Sequence, residues 1–448
     1  MASLSKKVTE NLFSPLLSKN KEIKQEIFEN LISERKRGYF DYTASGLGYK
    51  TIEKRIKKFL NYYANTHSEN ATLARITETA YEHARNLLKK LFELEKDFLV
   101  IPAGFGATGA IKKFLELKGL YIPPATLNRF KKVEIEKIPL AIIGPYEHHS
   151  NELGFRESIC EVKRIRLTKE GTIDLLHLEQ ILKSNKGREI IASFSIASNA
   201  TGIISPYKEL SHMLRRYGAT ICFDAAAASP YMNVPSELFD AMFVSPHKLI
   251  GGPGSIGLLL IRKQIVDTSI PPTYPGGGTV TYVSRKSHFF KENPEKREDA
   301  GTPPILNLIK ASLAYKLRNE VGLKWLKDEK KKLFDYLLEK LKQSGHFQIL
   351  GDMDADNIGI ISIIPKKIDP YTMCESLSNE FGIETRAGCS CTGPYGHDLL
   401  NLEDNNLGKQ KPGWLRISVH YVHTEEQMDY LVEAMEQINK YGEKQITF

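Results

Sequence analysis

The sequence predicts an α/β protein, with a mostly parallel sheet wrapped by helices in a large domain and a smaller α/β domain after it. Three observations carry this. From about residue 39 to 310, short apolar runs alternate with helix-period patterns, the order a parallel sheet with crossover helices produces. Runs such as Ile190-Ile-Ala-Ser-Phe-Ser-Ile196 lack polar alternation, as strands buried on both faces do. At 448 residues, the chain is also too long for one compact core and suggests two domains.

Residues 1–38 read as a lysine-rich helical arm, with Ile23, Ile27, Phe28 and Leu31 on one face. Phe98-Leu-Val-Ile-Pro102 reads as a strand, followed by the turn Gly104-Phe-Gly-Ala-Thr-Gly-Ala110 and a helical pattern from Ile111. Leu117 to Leu140, with Pro123-Pro124 and clustered lysines, has the character of an inserted surface excursion. After the strand at 190–196 a helix is punctuated by Ser205 as cap, Pro206 at its first position and Gly218 past its end. Ala219-Thr-Ile-Cys-Phe223 and Ala241-Met-Phe-Val244 are two further strands, and Ile256 to Ile261 a third after a glycine-rich turn. One long helical pattern, Ala311 to Leu341, leads into a smaller unit holding Ile358-Gly-Ile-Ile-Ser-Ile-Ile364 and Arg416-Ile-Ser-Val419. The expected division is an arm at 1–38, a large domain at 39–310 and a small C-terminal domain at 311–448, with a hinge near 305–325.

Composition narrows the function. Apolar content of 41% and charged content of 26% describe a soluble globular protein. No apolar stretch approaches the ~20 residues of a membrane span, so no membrane partner is expected. The N-terminal Met1-Ala-Ser-Leu-Ser-Lys-Lys7 lacks a signal-peptide core, which points to the cytoplasm. A net charge of +8 without a basic helix, RNA motif or zinc finger suits small anions better than nucleic acid. Five cysteines without a regular framework argue against a disulfide scaffold.

The chemistry gathers at strand ends. Lys248, in Ser245-Pro-His-Lys248, stands between an apolar run and the turn Leu249-Ile-Gly-Gly-Pro-Gly-Ser-Ile-Gly257. A lysine desolvated at such a place can form a Schiff base with a carbonyl, although a surface lysine in a turn is the bland alternative. Asp224 ends the strand before it, followed by Ala225-Ala-Ala-Ala228, which would let a planar ring approach the backbone. A carboxylate there would keep a pyridine nitrogen protonated, as pyridoxal phosphate (PLP) requires. Gly104 to Ala110 forms a strand–turn–helix anion cradle. Its Gly-x-Gly-x-x-Gly lacks both the Walker Gly-Lys-Ser/Thr and the acidic residue of a dinucleotide site. Cys389-Ser-Cys391 lacks further ligands at zinc spacing, so no metal is expected; a structural turn and a nucleophile loop both remain open.

Taken together, these segments resemble, in colinear order, fold-type I PLP enzymes of the aminotransferase class V group, in the cysteine desulfurase and selenocysteine lyase branch. Phe40-Asp-Tyr-Thr-Ala-Ser-Gly46 and Tyr63-Ala-Asn-Thr-His-Ser68 resemble the family's substrate-side loops. The resemblance implies phosphate contacts from Ala107, Thr108, Ser245 and His247, with Asn199 near the ring hydroxyl and Asp224 at the pyridinium. It implies Lys248 as the Schiff-base residue and His148, in Glu147-His148-His149, stacked on the ring and shuttling a proton. Thr302, in Ala300-Gly-Thr302, resembles a segment that reaches a neighbouring subunit's phosphate, which implies a homodimer. Arg386 and Arg416 match substrate-carboxylate arginines, and Cys391 matches the catalytic cysteine. The implied reaction converts L-cysteine to L-alanine and leaves a persulfide on Cys391, for a sulfur-acceptor protein to take. The alternative is a class V aminotransferase or PLP-dependent lyase acting on another amino acid. Ala227 departs from the family pattern, standing where the desulfurases carry a glutamine that hydrogen-bonds the ring oxygen.

Overall fold

Seven strands, six of them apolar runs, form one sheet in the computed structural model, which describes residues 2–18, 21–66, 68, 70–132, 134–403 and 412–445. They are β1 (Phe98–Pro102), β2 (Leu140–Ile143), β3 (Glu161–Arg164), β4 (Ile190–Ser195), β5 (Thr220–Asp224), β6 (Ala241–Val244) and β7 (Leu258–Arg262). Their spatial order is β1-β7-β6-β5-β4-β2-β3. The run from β6 through β5, β4 and β2 to β3 is parallel throughout, and β7 alone is reversed, antiparallel to both β6 and β1. β1, β2, β4 and β6 are buried along their whole length, which is why their sequences carry no alternation. β3 is one of the two edge strands, and its Glu-Val-Lys-Arg sequence keeps that edge charged. This is the expected mixed α/β fold with a mainly parallel sheet.

Register places the chemistry. Asp224, the last residue of β5, pairs with Ser195 at the end of β4 and Phe243 near the end of β6. Pro102 and Val244 both pair with Leu258, so the glycine turn after β1 and the Ser245–Lys248 turn after β6 open on the same edge. Open α/β sheets place ligands in the crevice beyond the carboxyl ends of their strands.

A second sheet is antiparallel: β8 (Phe347–Leu350), β9 (Ile360–Pro365), β10 (Arg386–Gly388) and β11 (Trp414–Ser418), ordered β8-β9-β11-β10. Arg386 and Arg416 are direct cross-strand partners in it. Its apolar side, with Ile361, Ile363, Leu415 and Ile417, packs against Leu333, Leu337 and Leu341 in a cluster separate from that of the large sheet.

Three local expectations change. The arm is two helices, Ala2–Leu12 and Ile23–Asn30, with Leu31 and Ile32 pairing to Tyr49 and Gly48; Val8, Leu12, Ile27 and Leu31 are buried in the main core. The long pattern from Ala311 breaks into Ile305–Val321 and Leu323–Ser344 at Gly322, whose φ of +92° interrupts helical geometry. The helix expected to be capped by Ser205 spans Tyr207–Arg216 with Pro206 at the N-cap, because the Ser205 hydroxyl donates instead to the Ser195 carbonyl at 2.6 Å. Residues 121–132 and 134–138 are exposed or half-buried, as a surface excursion should be. Among the described residues no helix is long and apolar enough to cross a membrane.

Candidate active site

The crevice beyond β1, β4, β5 and β6 holds a cavity of about 280 Å³. Ala107, Thr108, His148, Asn199, Asp224 and Ser245 line it, and so do His247, Lys248, Arg386, Cys391 and Arg416. Four strand ends and the start of one helix meet at this edge. Thr302 stands outside the cavity of its own chain, exposed, with its hydroxyl accepting from Asn65 Nδ2 at 3.1 Å. His67, in the second substrate-side loop, lies outside the described residues.

One wall is an anion cradle. The helix Gly106–Leu117 starts there, and the Ala107 N–H donates to Ser245 Oγ at 2.8 Å. Gly106 has a φ of +61°, and a Cβ on it would lie 2.8 Å from both Ser245 Oγ and His247 Cε1. Burial holds His247 neutral, its pKa lowered to about 4. Thr108 Oγ1 shares a 2.7 Å hydrogen bond with Ser150 Oγ, so Ser150 joins the cradle although sequence reading passed over it. Phe105, at the helix N-cap, is 94% exposed at the mouth.

The floor carries two opposed charges. Asp224 is buried, and its Oδ1 accepts from the Ala226 N–H at 2.9 Å. Desolvation raises its pKa, opposed by that hydrogen bond and by Lys248. Lys248 is pushed down to about 8, chiefly by desolvation; Asp224 opposes the shift and Arg416 adds to it. Such an amine is far more often neutral at pH 7 than a surface lysine. Ala227 also lines the cavity and presents only a methyl group to it.

His148 hangs over the cavity as the N-cap of helix His149–Arg156. Its Nδ1 accepts from the Ser150 N–H at 3.1 Å, leaving the ring hydrogen on Nε2. Burial and the Lys248 charge lower its pKa to about 4. Beneath it, Glu147 accepts from Ser195 N and Ser195 Oγ, both at 2.8 Å, and from Asn151 Nδ2 at 2.5 Å. Burial lifts the Glu147 pKa to about 7 despite those donors. The i, i+4 spacing of Glu147 and Asn151 was the available sequence signal for this network.

The opposite wall comes from the small sheet. Asp41 accepts from Arg386 Nε and Nη2, the latter at 2.9 Å, and from Arg416 Nη2 at 2.9 Å. Arg416 Nη1 donates to the Asn199 carbonyl at 3.0 Å. Sequence reading named both arginines and missed the carboxylate that joins them. Cys391 is exposed and follows Ser390 in the left-handed region, with φ of 58° and 53° respectively. Cys389 is half-buried and packs against the main core.

The sequence profile of the family described as aminotransferase class-V matches residues 38–431. The chain belongs to the aminotransferase class-V family. The match covers both the large sheet and the small one, so the class-V resemblance read from the motifs holds across the fold. Among similar proteins of this family, a probable cysteine desulfurase of Pyrococcus abyssi is 29% identical over 411 residues, covering 90% of this chain and 94% of its own. A cysteine desulfurase of Haloferax volcanii is 28% identical over 301 residues, 66% of this chain and 67% of its own. The apo structure of a cysteine desulfurase from Thermococcus onnurineus superposes with a TM-score of 0.78 at 24% identity, over 94% of this chain and 99% of its own. An Escherichia coli cysteine desulfurase superposes at 0.77 and 21% identity, over 94% and 100%.

Proposed function

We propose that this protein is a PLP-dependent cysteine desulfurase that removes sulfur from L-cysteine, leaving L-alanine and a persulfide on Cys391. The observation that carries the reading is that Cys391 shares one cavity with Lys248, Asp224 and the arginine pair. An aminotransferase needs the last three and has no use for the thiol. The names of the similar proteins support the same reaction.

The residues fit the cofactor. The Gly106 cradle leaves no room for a Cβ but presents a helix N-terminus, the Ser245 hydroxyl and the His247 ring to a phosphate. Asp224 is a buried carboxylate suited to a protonated ring nitrogen, and Lys248 is an amine suited to the aldehyde. His148 and Asn199 would hold the ring from its face and its hydroxyl edge. When bound, the ring would supply the sink for negative charge at the substrate α-carbon. Arg386 and Arg416 orient the substrate carboxylate through charge-assisted hydrogen bonds. Lys248 Nζ would take the α-proton of the substrate. Cys391 Sγ, as the thiolate, would attack the substrate sulfur: the S–S bond forms, the C–S bond breaks and its electron pair stays with the carbon frame, which takes at the β-carbon a proton equivalent to the one the thiol gave up, regains at the α-carbon the proton held by Lys248, and leaves as alanine. We further propose a homodimer in which Thr302 completes the phosphate site of the partner, consistent with its position outside its own cavity.

The test is a pair of substitutions. Cys391→Ser should abolish sulfide release from L-cysteine while the cofactor stays bound, and Cys389→Ser should cost at least ~10²-fold less, since loss of a nucleophile removes several kcal/mol of transition-state stabilisation. Equal and mild effects from both would assign the protein to the aminotransferase or lyase alternative.

A further inference from the structure

The Cys391 loop is a strained segment, and one residue outside the set that lines the cavity holds it twice. Ser390 and Cys391 are consecutive non-glycine residues with positive φ, a conformation that persists only where the surroundings impose it. Five hydrogen bonds do so. The Thr392 N–H and hydroxyl donate to the Cys389 carbonyl at 3.0 and 2.8 Å. Asn199 Nδ2 donates to the Ser390 carbonyl at 2.7 Å. The His149 N–H donates to the Cys391 carbonyl at 2.7 Å. The Gly393 N–H, first of helix Gly393–Leu400, donates to His149 Nε2 at 2.8 Å.

The last bond is made by a side chain 244 positions away in sequence. Thr392, at the N-cap of that helix, makes no side-chain cap, so the His149 ring takes the part of a capping acceptor from a different element. Its Nε2 accepts, and Nδ1 therefore carries the ring hydrogen. The fit is close: a Cβ at Gly393 would lie 3.0 Å from Nε2. Main chain and ring of one residue thus fix the carbonyl of Cys391 and the amide two residues on, either side of an exposed cysteine that lines the cavity.

We propose that His149 is a positioning residue for the reaction, clamping the Cys389–Gly393 loop so that the Cys391 thiol is held at the substrate sulfur. The clamp rests on the desulfurase reading of Cys391. It requires an acceptor at the position of Nε2 and no ionisable group, so Gln, whose terminal oxygen reaches the same place, should replace His while Ala should not.

The test compares His149→Ala and His149→Gln as cofactor-loaded full-length proteins by hydrogen–deuterium exchange and by kinetics on L-cysteine. In His149→Ala the peptide spanning 389–400 should exchange about tenfold faster, and kcat for sulfide release should fall about tenfold with KM within about twofold. His149→Gln should restore both quantities to within about threefold of the parent. Unchanged exchange in His149→Ala, faster exchange with unchanged kcat, or a Gln variant as impaired as Ala would each overturn the proposal. Sulfide release that survives Cys391→Ser would sink the desulfurase reading instead, and the exchange result would still report whether His149 clamps the loop.

Discussion

The amine of Lys248 gives the most direct measurement of the site, because its reactivity can be read without cofactor or substrate. Desolvation lowers its pKa from the ordinary 10.5 to about 8. At pH 7 about a tenth of such an amine is neutral, against roughly one in 3,000 for an ordinary lysine, a ~300-fold advantage in nucleophile concentration. The charges around it act in opposite directions: Asp224 holds the proton on, and Arg416 drives it off. Asp224→Asn keeps an oxygen for the Ala226 N–H and removes the anion, so the midpoint should move below 8. Arg416→Met should move it above 8. The assay treats cofactor-free protein with propanal and cyanoborohydride between pH 6 and 10 and follows alkylation of the Lys248 peptide by mass spectrometry. The parent rate should rise with pH to a plateau with its midpoint near 8. A midpoint near 10, or shifts in the same direction from both substitutions, would refute the electrostatic account of the site.

Two further outcomes test the cradle and the assembly. Gly106→Ala puts a methyl 2.8 Å from Ser245 Oγ and His247 Cε1 on a backbone with φ +61°, so PLP affinity should fall at least about fivefold, the strain and clash together costing about 1–3 kcal/mol; equilibrium dialysis showing unchanged affinity would remove the cradle from the phosphate site. Lys248→Ala and Thr302→Glu proteins, each inactive alone, should regain part of the activity when refolded together, because a mixed dimer keeps one intact site; an active protein that is monomeric by light scattering would contradict the shared site.

The strands and the strand-end residues were legible in the sequence because local rules decide them. Continuous apolar runs marked β4 and β6, and the residues that end such runs, Asp224 and the turn through Lys248, had to meet at one sheet edge once the strands were parallel. The glycine turn at 104–109 announced the cradle because only glycine tolerates its backbone and its close approach to Ser245 and His247. The break at Gly322 was hidden because helical periodicity continues on both sides of it. Asp41 between two arginines, Glu147 beneath His148, and the His149 ring on the Gly393 amide were not legible, since each joins elements far apart in sequence or depends on rotamer and burial. The sequence by itself determined which groups could do chemistry and on which strand ends they stand. Tertiary structure alone decided their protonation and their aim: Lys248 becomes a neutral-leaning amine because the assembled crevice strips its water, and Cys391 faces the cavity because residues from distant elements hold its loop there.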